Sequence, residues 1–169
     1  MTDFLDFADG GRALARVLRD QPPGTLVLGV VPNGIPGAVE VARALHLPLK
    51  GVEVNRDATG ILDVRIPDLD GVQRVLVVDD AVESGAAARA IGDALRQATT
   101  AETVLAVPLC PCDELPSLQQ LFDSVVAVVF PLERRSLAWH YDVVAPVPRD
   151  EAYAAIAAHA DELASHSDG

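Results

Sequence analysis

Short hydrophobic runs alternate along the chain with segments whose hydrophobic residues recur at helical spacing. The runs at 25–31, 74–78, 102–107 and 123–130 are almost entirely apolar, which is typical of strands buried on both faces of a sheet. A shorter run at 50–54 predicts another strand. Helical spacing and capping residues predict helices at 9–20, 36–45, 86–97, 113–121 and 150–163, with Asp150 as N-cap of the last. This alternation predicts an α/β fold, a doubly wound, mostly parallel sheet flanked by helices.

Two segments fit neither pattern. Residues 55–71 are polar and interrupted by Gly60 and Pro67, so they predict a loop or a strand excursion. Residues 134–148 predict irregular structure. The chain has no internal repeat and no stretch with the length and composition of a linker. Its 169 residues therefore predict a single domain over 1–169.

Charge and cysteine content exclude several classes of function. The 13 basic and 25 acidic side chains give a net charge of −12, which argues against binding to a nucleic-acid backbone or to an anionic membrane surface. The first residues lack the pattern of a signal peptide and no run is long enough to span a membrane, so we expect a cytoplasmic protein. The two cysteines, Cys110 and Cys112, exclude a disulfide-rich fold, and their spacing argues against zinc.

The strongest candidate site follows the strand at 74–78. Asp79 and Asp80 come directly after this strand, and Ser84-Gly85 follows after three intervening residues, just before a helix. Ligands of such sheets bind beyond the carboxyl ends of the strands. Paired carboxylates there suit hydroxyl groups or a divalent metal, and the amides of a helix start suit a phosphate, so the combination fits a sugar phosphate. In the alternative interpretation, Asp80 or Ser84 only caps the helix.

Segment 74–88, RVLVVDDAVESGAAA, resembles the phosphoribosyl-pyrophosphate (PRPP) motif of the type I phosphoribosyltransferases. The segments GRALARVL and LVLGVVPNGIPGAVEVARAL and the tripeptide Trp139-His140-Tyr141 are similar to a bacterial branch of that family, and the resemblance extends over about residues 9–155. It implies that Asp79 and Asp80 are the catalytic acidic pair that binds the ribose hydroxyls. It also implies a loop that binds the 5-phosphate, formed by Ala81, Val82, Glu83, Ser84, Gly85, Ala86 and Ala87.

The resemblance also implies functions for three other segments. Pro32, Asn33 and Gly34 occupy the place of the pyrophosphate loop, although an ordinary turn explains Pro32 and Asn33 equally well. Arg56 and Arg65 lie in the candidate flexible loop, where arginines are more often merely solvated. Trp139 and Tyr141 belong to a small hood at about 130–148 and are the candidate contacts of the base. Alternatively, they pack the terminal helix onto the sheet. The implied cofactor is Mg²⁺, carried by the bound pyrophosphate, and the implied assembly is a homodimer.

Departures from the family pattern leave two functions open. Pro32 stands where a basic residue is usual, Ala87 replaces a hydroxyl residue, and Glu83 adds a carboxylate to the phosphate loop. The first function is transfer of phosphoribose from PRPP to a nucleobase-like acceptor with release of pyrophosphate. The second is a non-catalytic regulatory protein that binds PRPP or a nucleotide. A response-regulator receiver is disfavoured, because its acidic pair follows the first strand and its lysine the fifth, whereas Lys50 is the only lysine here.

Overall fold

A six-stranded sheet forms the centre of the molecule, for which the computed structural model describes residues 1–169. Its strands are β1 (Thr25–Val31), β2 (Leu49–Arg56), β3 (Leu62–Arg65), β4 (Arg74–Val78), β5 (Glu102–Leu109) and β6 (Ser124–Val129). Their order across the sheet is β3-β2-β1-β4-β5-β6. Only β3 is antiparallel to its neighbour, and every other pair is parallel. The predicted mostly parallel, doubly wound sheet is therefore confirmed.

Helices cover both faces of this sheet. They are α1 (Phe7–Leu18), α2 (Ile35–Leu45), α3 (Ala86–Ala98), α4 (Leu115–Gln119), α5 (Leu137–His140) and α6 (Arg149–Ser167). The first two helices and α6 pack on one face, and α3 and α4 pack on the other. None of the helices combines the length and the apolar character needed to cross a bilayer.

The central strands are the most deeply buried part of the chain. Every residue of β1 is buried, as is every residue of β5 except Glu102. Each fully buried valine or leucine stabilises the fold by about 1.5–3 kcal/mol relative to an exposed one. The continuous apolar runs thus stabilise the centre of the sheet. Because these strands are well packed, the loops at the carboxyl ends of β1 and β4 start from fixed positions.

The observed elements differ from the predicted ones mainly at their ends. The strand predicted at 50–54 continues to Arg56 and pairs with β3, so part of segment 55–71 is a β-hairpin. The helix predicted at 113–121 is limited to Leu115–Gln119, with Pro116 in its first turn, where the missing N–H costs no hydrogen bond. Segment 134–148, predicted to be irregular, contains α5.

The predicted N-cap of the terminal helix was wrong. This helix, α6, begins at Arg149, so Pro148 occupies the N-cap position and makes no side-chain cap. Asp150 lies in the first turn instead, where its negative charge still interacts favourably with the helix dipole. The helix also continues past the predicted end at 163, to Ser167.

Candidate functional site

The loops that follow β1 and β4 meet at the carboxyl edge of the sheet. These strands are parallel neighbours, with Gly29 paired to Val78. A Cβ at Gly34 would lie 2.9 Å from the carbonyl oxygen of Val78 and 3.0 Å from the Cα of Asp79. Glycine is therefore the residue that fits here without displacing backbone. The predicted pyrophosphate loop and the predicted acidic pair are thus in direct contact.

Asp79 and Asp80 are half-buried and line a cavity of about 150 Å³, here called the acid-pair cavity. The N–H of Asp80 donates to Oδ1 of Asp79 and the N–H of Ala81 donates to Oδ1 of Asp80, each at 2.8 Å. Burial raises the pKa of Asp79 well above its usual range, and the negative charges of Asp80 and Glu83 raise it further. Burial also raises the pKa of Asp80.

No basic side chain lines the acid-pair cavity. The carboxylates of Asp79 and Asp80 therefore face a ligand without a neutralising partner from the protein. Hydroxyl donors or a cation brought by the ligand are the groups that this arrangement accepts most favourably. The exposed Glu83 lines the same cavity, which adds a third carboxyl group to it.

The segment after the acidic pair turns sharply into α3. Gly85, the N-cap of this helix, has φ +81°, a conformation that other residues adopt only with strain. The N–H of Ala86 donates to the hydroxyl of Ser84 at 3.3 Å, whereas the N–H groups of Gly85, Ala87 and Ala88 donate to no protein acceptor. All of these residues line the acid-pair cavity. The start of α3 therefore offers free amide donors and its positive dipole end to an anion.

The buried carboxylate of Glu114 holds two arginines that contact this loop. Glu114 is 9% exposed and forms ion pairs with Arg89, at 2.7 Å, and with Arg134. Arg134 also donates to the carbonyl oxygen of Glu83 at 2.7 Å, and Arg89 donates to that of Ser84 at 3.2 Å. These three charged residues (Glu114, Arg89 and Arg134) are here called the loop clamp, because Glu114 holds the two arginines that donate to two consecutive carbonyls and so fix the course of the loop.

A second cavity of about 300 Å³ lies on the other side of the loop and is here called the hood cavity. Ala81, Val82, Glu83 and Ser84 line both cavities. The remaining walls of the hood cavity come from the end of β5 with Pro111 and from residues between 131 and 140. The predicted hood segment thus contributes one wall of a cavity beside the acidic pair.

The two predicted base contacts do not line the hood cavity. Tyr141 is 1% exposed; it packs against the rings of Phe4 and Phe7 and donates from its hydroxyl to the carbonyl oxygen of Asp80 at 2.7 Å. Its buried ring has no face free for stacking on a base, and it does not pack α6 onto the sheet either. Burial raises its pKa, so the hydroxyl stays protonated. Trp139 is 59% exposed, and its ring centroid lies 4.1 Å from the guanidinium carbon of Arg135.

The predicted loop arginines and pyrophosphate loop occupy different environments. Arg56 and Arg65 lie on the β2–β3 hairpin, are exposed and line neither cavity. Arg56 donates to the carbonyl of Gly60, and Arg65 lies 3.8 Å from Asp63.

Pro32 and Asn33 are half-buried, and Oδ1 of Asn33 accepts a hydrogen bond from the N–H of Val147. Asn33 therefore connects the predicted pyrophosphate loop to the hood segment by a hydrogen bond.

Both cysteines follow β5 closely. Cys110 is buried and Cys112 is half-buried, both thiols are free, and no group of three or more histidine, cysteine or acidic side chains is arranged to hold a metal ion. Burial raises the pKa of Cys110 to about 11, so this thiol stays protonated. The cysteines are thus small, buried or half-buried residues after β5.

No local pattern in the sequence marks the loop clamp or the environment of one histidine. Glu114 lies 25 residues from Arg89 and 20 from Arg134. His140 lines the hood cavity, and its Nδ1 lies 2.7 Å from a carboxylate oxygen of Asp3, 137 residues away. Contacts over such separations follow from the fold, and no motif within either segment indicates them.

No protein-family model matches the chain. Among solved structures, protein TT1426 of Thermus thermophilus matches with 22% identity and a TM-score of 0.73, over 92% of this chain and 98% of that one. A purine phosphoribosyltransferase of Pyrococcus horikoshii matches with 24% identity and a TM-score of 0.54, over 77% and 91%. A Neisseria gonorrhoeae protein with bound ppGpp matches with 17% identity and a TM-score of 0.53, over 94% and 98%. An adenine phosphoribosyltransferase of Rhodothermus marinus also aligns with a TM-score of 0.54, and the chain therefore has the fold of the type I phosphoribosyltransferases.

Proposed function

We propose that this protein binds PRPP and transfers its phosphoribosyl group to a nucleobase-like heterocycle, with release of pyrophosphate. The observation that carries the proposal is the placement of the acidic pair and the α3 amides in one cavity, at the contact between the loops after β1 and β4. A ribose 5-phosphate needs both groups at once, because its hydroxyls donate to carboxylates and its phosphate accepts from amides.

In this proposal, different residues would bind different parts of the substrate. Asp79 and Asp80 would accept hydrogen bonds from the ribose 2- and 3-hydroxyls. The segment 83–87 would bind the 5-phosphate through its amides and the Ser84 hydroxyl, with its course held by the loop clamp. The segment Pro32-Asn33-Gly34 touches the acidic pair through Gly34, so its backbone would contact the pyrophosphate. The acceptor heterocycle would occupy the hood cavity, because that cavity shares four loop residues with the acid-pair cavity.

The donor set fits Mg²⁺ that arrives with the pyrophosphate. Magnesium is commonly bound by one or two carboxylates together with substrate phosphates, and rarely by a complete protein cage. The protein offers the paired carboxylates of Asp79 and Asp80, and no group of three or more acidic, histidine or cysteine side chains is arranged to hold the ion. When bound, the ion would neutralise charge on the pyrophosphate, a function that no basic residue of the acid-pair cavity can fill.

Catalysis in such a site is mainly positioning. The acceptor nitrogen and the C1 atom of PRPP must approach along the line of the bond to pyrophosphate, and holding them there removes much of the entropic cost of their encounter. The carboxylates of Asp79 and Asp80 lie close enough to the ribose in this arrangement to stabilise positive charge that develops on the ring. We also infer that the β2–β3 hairpin, with Arg56 and Arg65, closes over the substrate, and that the protein acts as a homodimer.

Pyrophosphate release tests this function directly. Purified protein is incubated with PRPP and Mg²⁺ and, one at a time, with adenine, hypoxanthine, guanine, uracil and orotate. At least one heterocycle is expected to release pyrophosphate and form the corresponding monophosphate. The matched control is Asp161→Asn, which removes an exposed charge from α6 and lies in neither cavity. Binding of PRPP without release by any heterocycle would contradict the transfer step.

A second function, regulatory binding of a nucleotide, is favoured by one observation. The acid-pair cavity holds three carboxylates and no basic side chain, and Pro32 supplies no charge to the pyrophosphate loop. Without basic side chains, the cavity is less suited to a pyrophosphate on C1, which carries more negative charge, than to a single phosphate on C5. The structurally similar Neisseria gonorrhoeae protein has ppGpp bound, which supports a nucleotide as ligand. Calorimetric titrations with purine and pyrimidine monophosphates, ppGpp and PRPP help to separate the two functions, since binding of a nucleotide without binding of PRPP would favour the regulatory function.

A further inference from the structure

The hood cavity contains a histidine that is oriented by a carboxylate. His140 is 8% exposed and lines this cavity, and its Nδ1 lies 2.7 Å from Oδ2 of Asp3. An ionised carboxylate can only accept, so in the neutral imidazole the hydrogen lies on Nδ1 and Nε2 keeps a free lone pair. The pair Asp3–His140 therefore has the carboxylate–imidazole arrangement in which the second nitrogen is ready to accept a proton.

The second nitrogen of His140 has no partner within the protein. Nε2 makes no hydrogen bond within the protein. The only fully buried side-chain nitrogen or oxygen without a partner is Nδ1 of His159, on the far side of the molecule, so Nε2 of His140 is not buried. Because the rest of the side chain is enclosed and the residue lines the hood cavity, the cavity is where this nitrogen meets solvent or ligand.

Backbone pairing holds both members of the pair in place. The N–H groups of Asp3 and Phe4 donate to the carbonyl oxygen of His140, each at 3.0 Å, and Phe4 bridges to Tyr141 as a parallel strand would. The hydroxyl of Tyr141 in turn donates to the carbonyl of Asp80. One short segment thus connects the Asp3–His140 pair to the acidic pair, and it fixes the distance between the hood cavity and the candidate ribose site.

We propose that His140, positioned by Asp3, accepts the proton of the acceptor heterocycle in the hood cavity. This inference rests on the proposed phosphoribosyl transfer. The lone pair of the acceptor nitrogen forms the bond to C1 of PRPP, and the bond from C1 to the pyrophosphate oxygen breaks with its electrons on pyrophosphate. The proton of the acceptor N–H passes to Nε2 of His140, and Asp3 stabilises the imidazolium until the proton leaves to solvent. The other charged groups that face the cavity are Glu83, Glu133, Arg134 and Arg135.

The ligand class follows from this chemistry. The acceptor must carry a ring N–H of weak acidity, must be planar and small enough for a cavity of about 300 Å³, and must present that N–H to Nε2. A heterocycle whose acceptor nitrogen is already deprotonated at neutral pH has no proton to transfer from it, so it gains nothing from His140. Dependence of the rate on acceptor acidity is therefore a property that a purely structural histidine would not confer.

The kinetic test compares His140→Gln with His166→Gln, a change of the same type on the exposed end of α6. Glutamine keeps a hydrogen-bond acceptor but takes no proton. We expect kcat of His140→Gln to fall by about 10²–10⁴-fold, the usual contribution of general acid–base catalysis, with PRPP affinity changed by less than about twofold. The fall should shrink as the acceptor N–H becomes more acidic. Asp3→Asn should lower kcat as well, and His166→Gln should change nothing. Equal loss with every acceptor would overturn the proposal.

A binding measurement keeps the proposal testable without turnover. The protein is labelled with ¹⁵N-histidine, the His140 signals are assigned from the His140→Gln spectrum, and adenine, hypoxanthine and uracil are added with ribose 5-phosphate and Mg-pyrophosphate. At least one heterocycle should shift Nε2 of His140 and leave the His166 signals in place. If none does, the inference is wrong whatever the activity. If Nε2 shifts but pyrophosphate is never released from PRPP, the transfer function fails and the contact of His140 with the heterocycle stands.

Discussion

Replacing Glu114 by glutamine should destabilise the protein and loosen the phosphate loop together. The side chain of Glu114 is 11% exposed and its charge pairs with Arg89 and Arg134, whose side chains are 39% and 43% exposed. Removing one partner of a fully buried ion pair costs ~3–5 kcal/mol, whereas an exposed pair contributes ~0–1 kcal/mol. Because both arginines can recover much of their hydration, we expect a loss of about 2 kcal/mol in the free energy of unfolding, or about 4–8 °C in Tm for a chain of this size.

Urea denaturation and calorimetry with ribose 5-phosphate measure the two effects. The matched control is Asp113→Asn, which removes a carboxylate that pairs with Arg134 but is 61% exposed. We expect the control to lose at most ~1 kcal/mol and to bind ribose 5-phosphate like the wild type. In Glu114→Gln the affinity for ribose 5-phosphate should also fall, because the carbonyls of Glu83 and Ser84 lose the arginines that orient them. A loss no larger than that of the control, in stability and in affinity, would refute the loop clamp.

Three other predictions concern the acidic pair and its surroundings. Since the folded-state pKa of Asp79 is raised, its contribution to stability is present below about pH 4 and is lost as the pH rises through the folded-state value. Asp79→Asn should therefore unfold at higher urea than the wild type at pH 7 and at the same urea near pH 3; equal gains at both would contradict this. Ala87→Thr should tighten ribose 5-phosphate binding by about 10–100-fold in calorimetry through one added bond to a charged group, whereas Ala90→Thr, outside the acid-pair cavity, should not. Tyr141→Phe should lower the free energy of unfolding by about 1 kcal/mol, because it removes the hydrogen bond to the Asp80 carbonyl; no change would mean that water replaces the hydroxyl.

The fold and the loop with the acidic pair were predictable because their determinants are local. Continuous apolar runs such as 25–31 and 74–78 define strands buried on both faces, and the structure has the same bounds for both. Gly85 precedes a helix and adopts the left-handed conformation that makes the turn. Each of these features is set by a few neighbouring residues, so their order in the sequence suffices to find them.

The rest of the site depends on contacts between distant segments. The loop clamp joins α3, the start of α4 and the hood, and the Asp3–His140 pair joins the two ends of the chain. The sequence suggested that Tyr141 contacts the base, yet Phe4 and Phe7 pack against its ring and bury it. The pattern of one segment contains no information about such partners, because their proximity arises only when the sheet order is known.

Calorimetric titration with PRPP and Mg²⁺ measures directly whether PRPP binds at Asp79 and Asp80. The wild type is compared with the double variant Asp79→Asn/Asp80→Asn, whose fold can be checked by urea denaturation and should be at least as stable at pH 7, because burial opposes both charges. We predict that the wild type binds PRPP and that the double variant does not. Equal binding by both proteins, or no binding of PRPP to the wild type at millimolar concentration, would contradict the account.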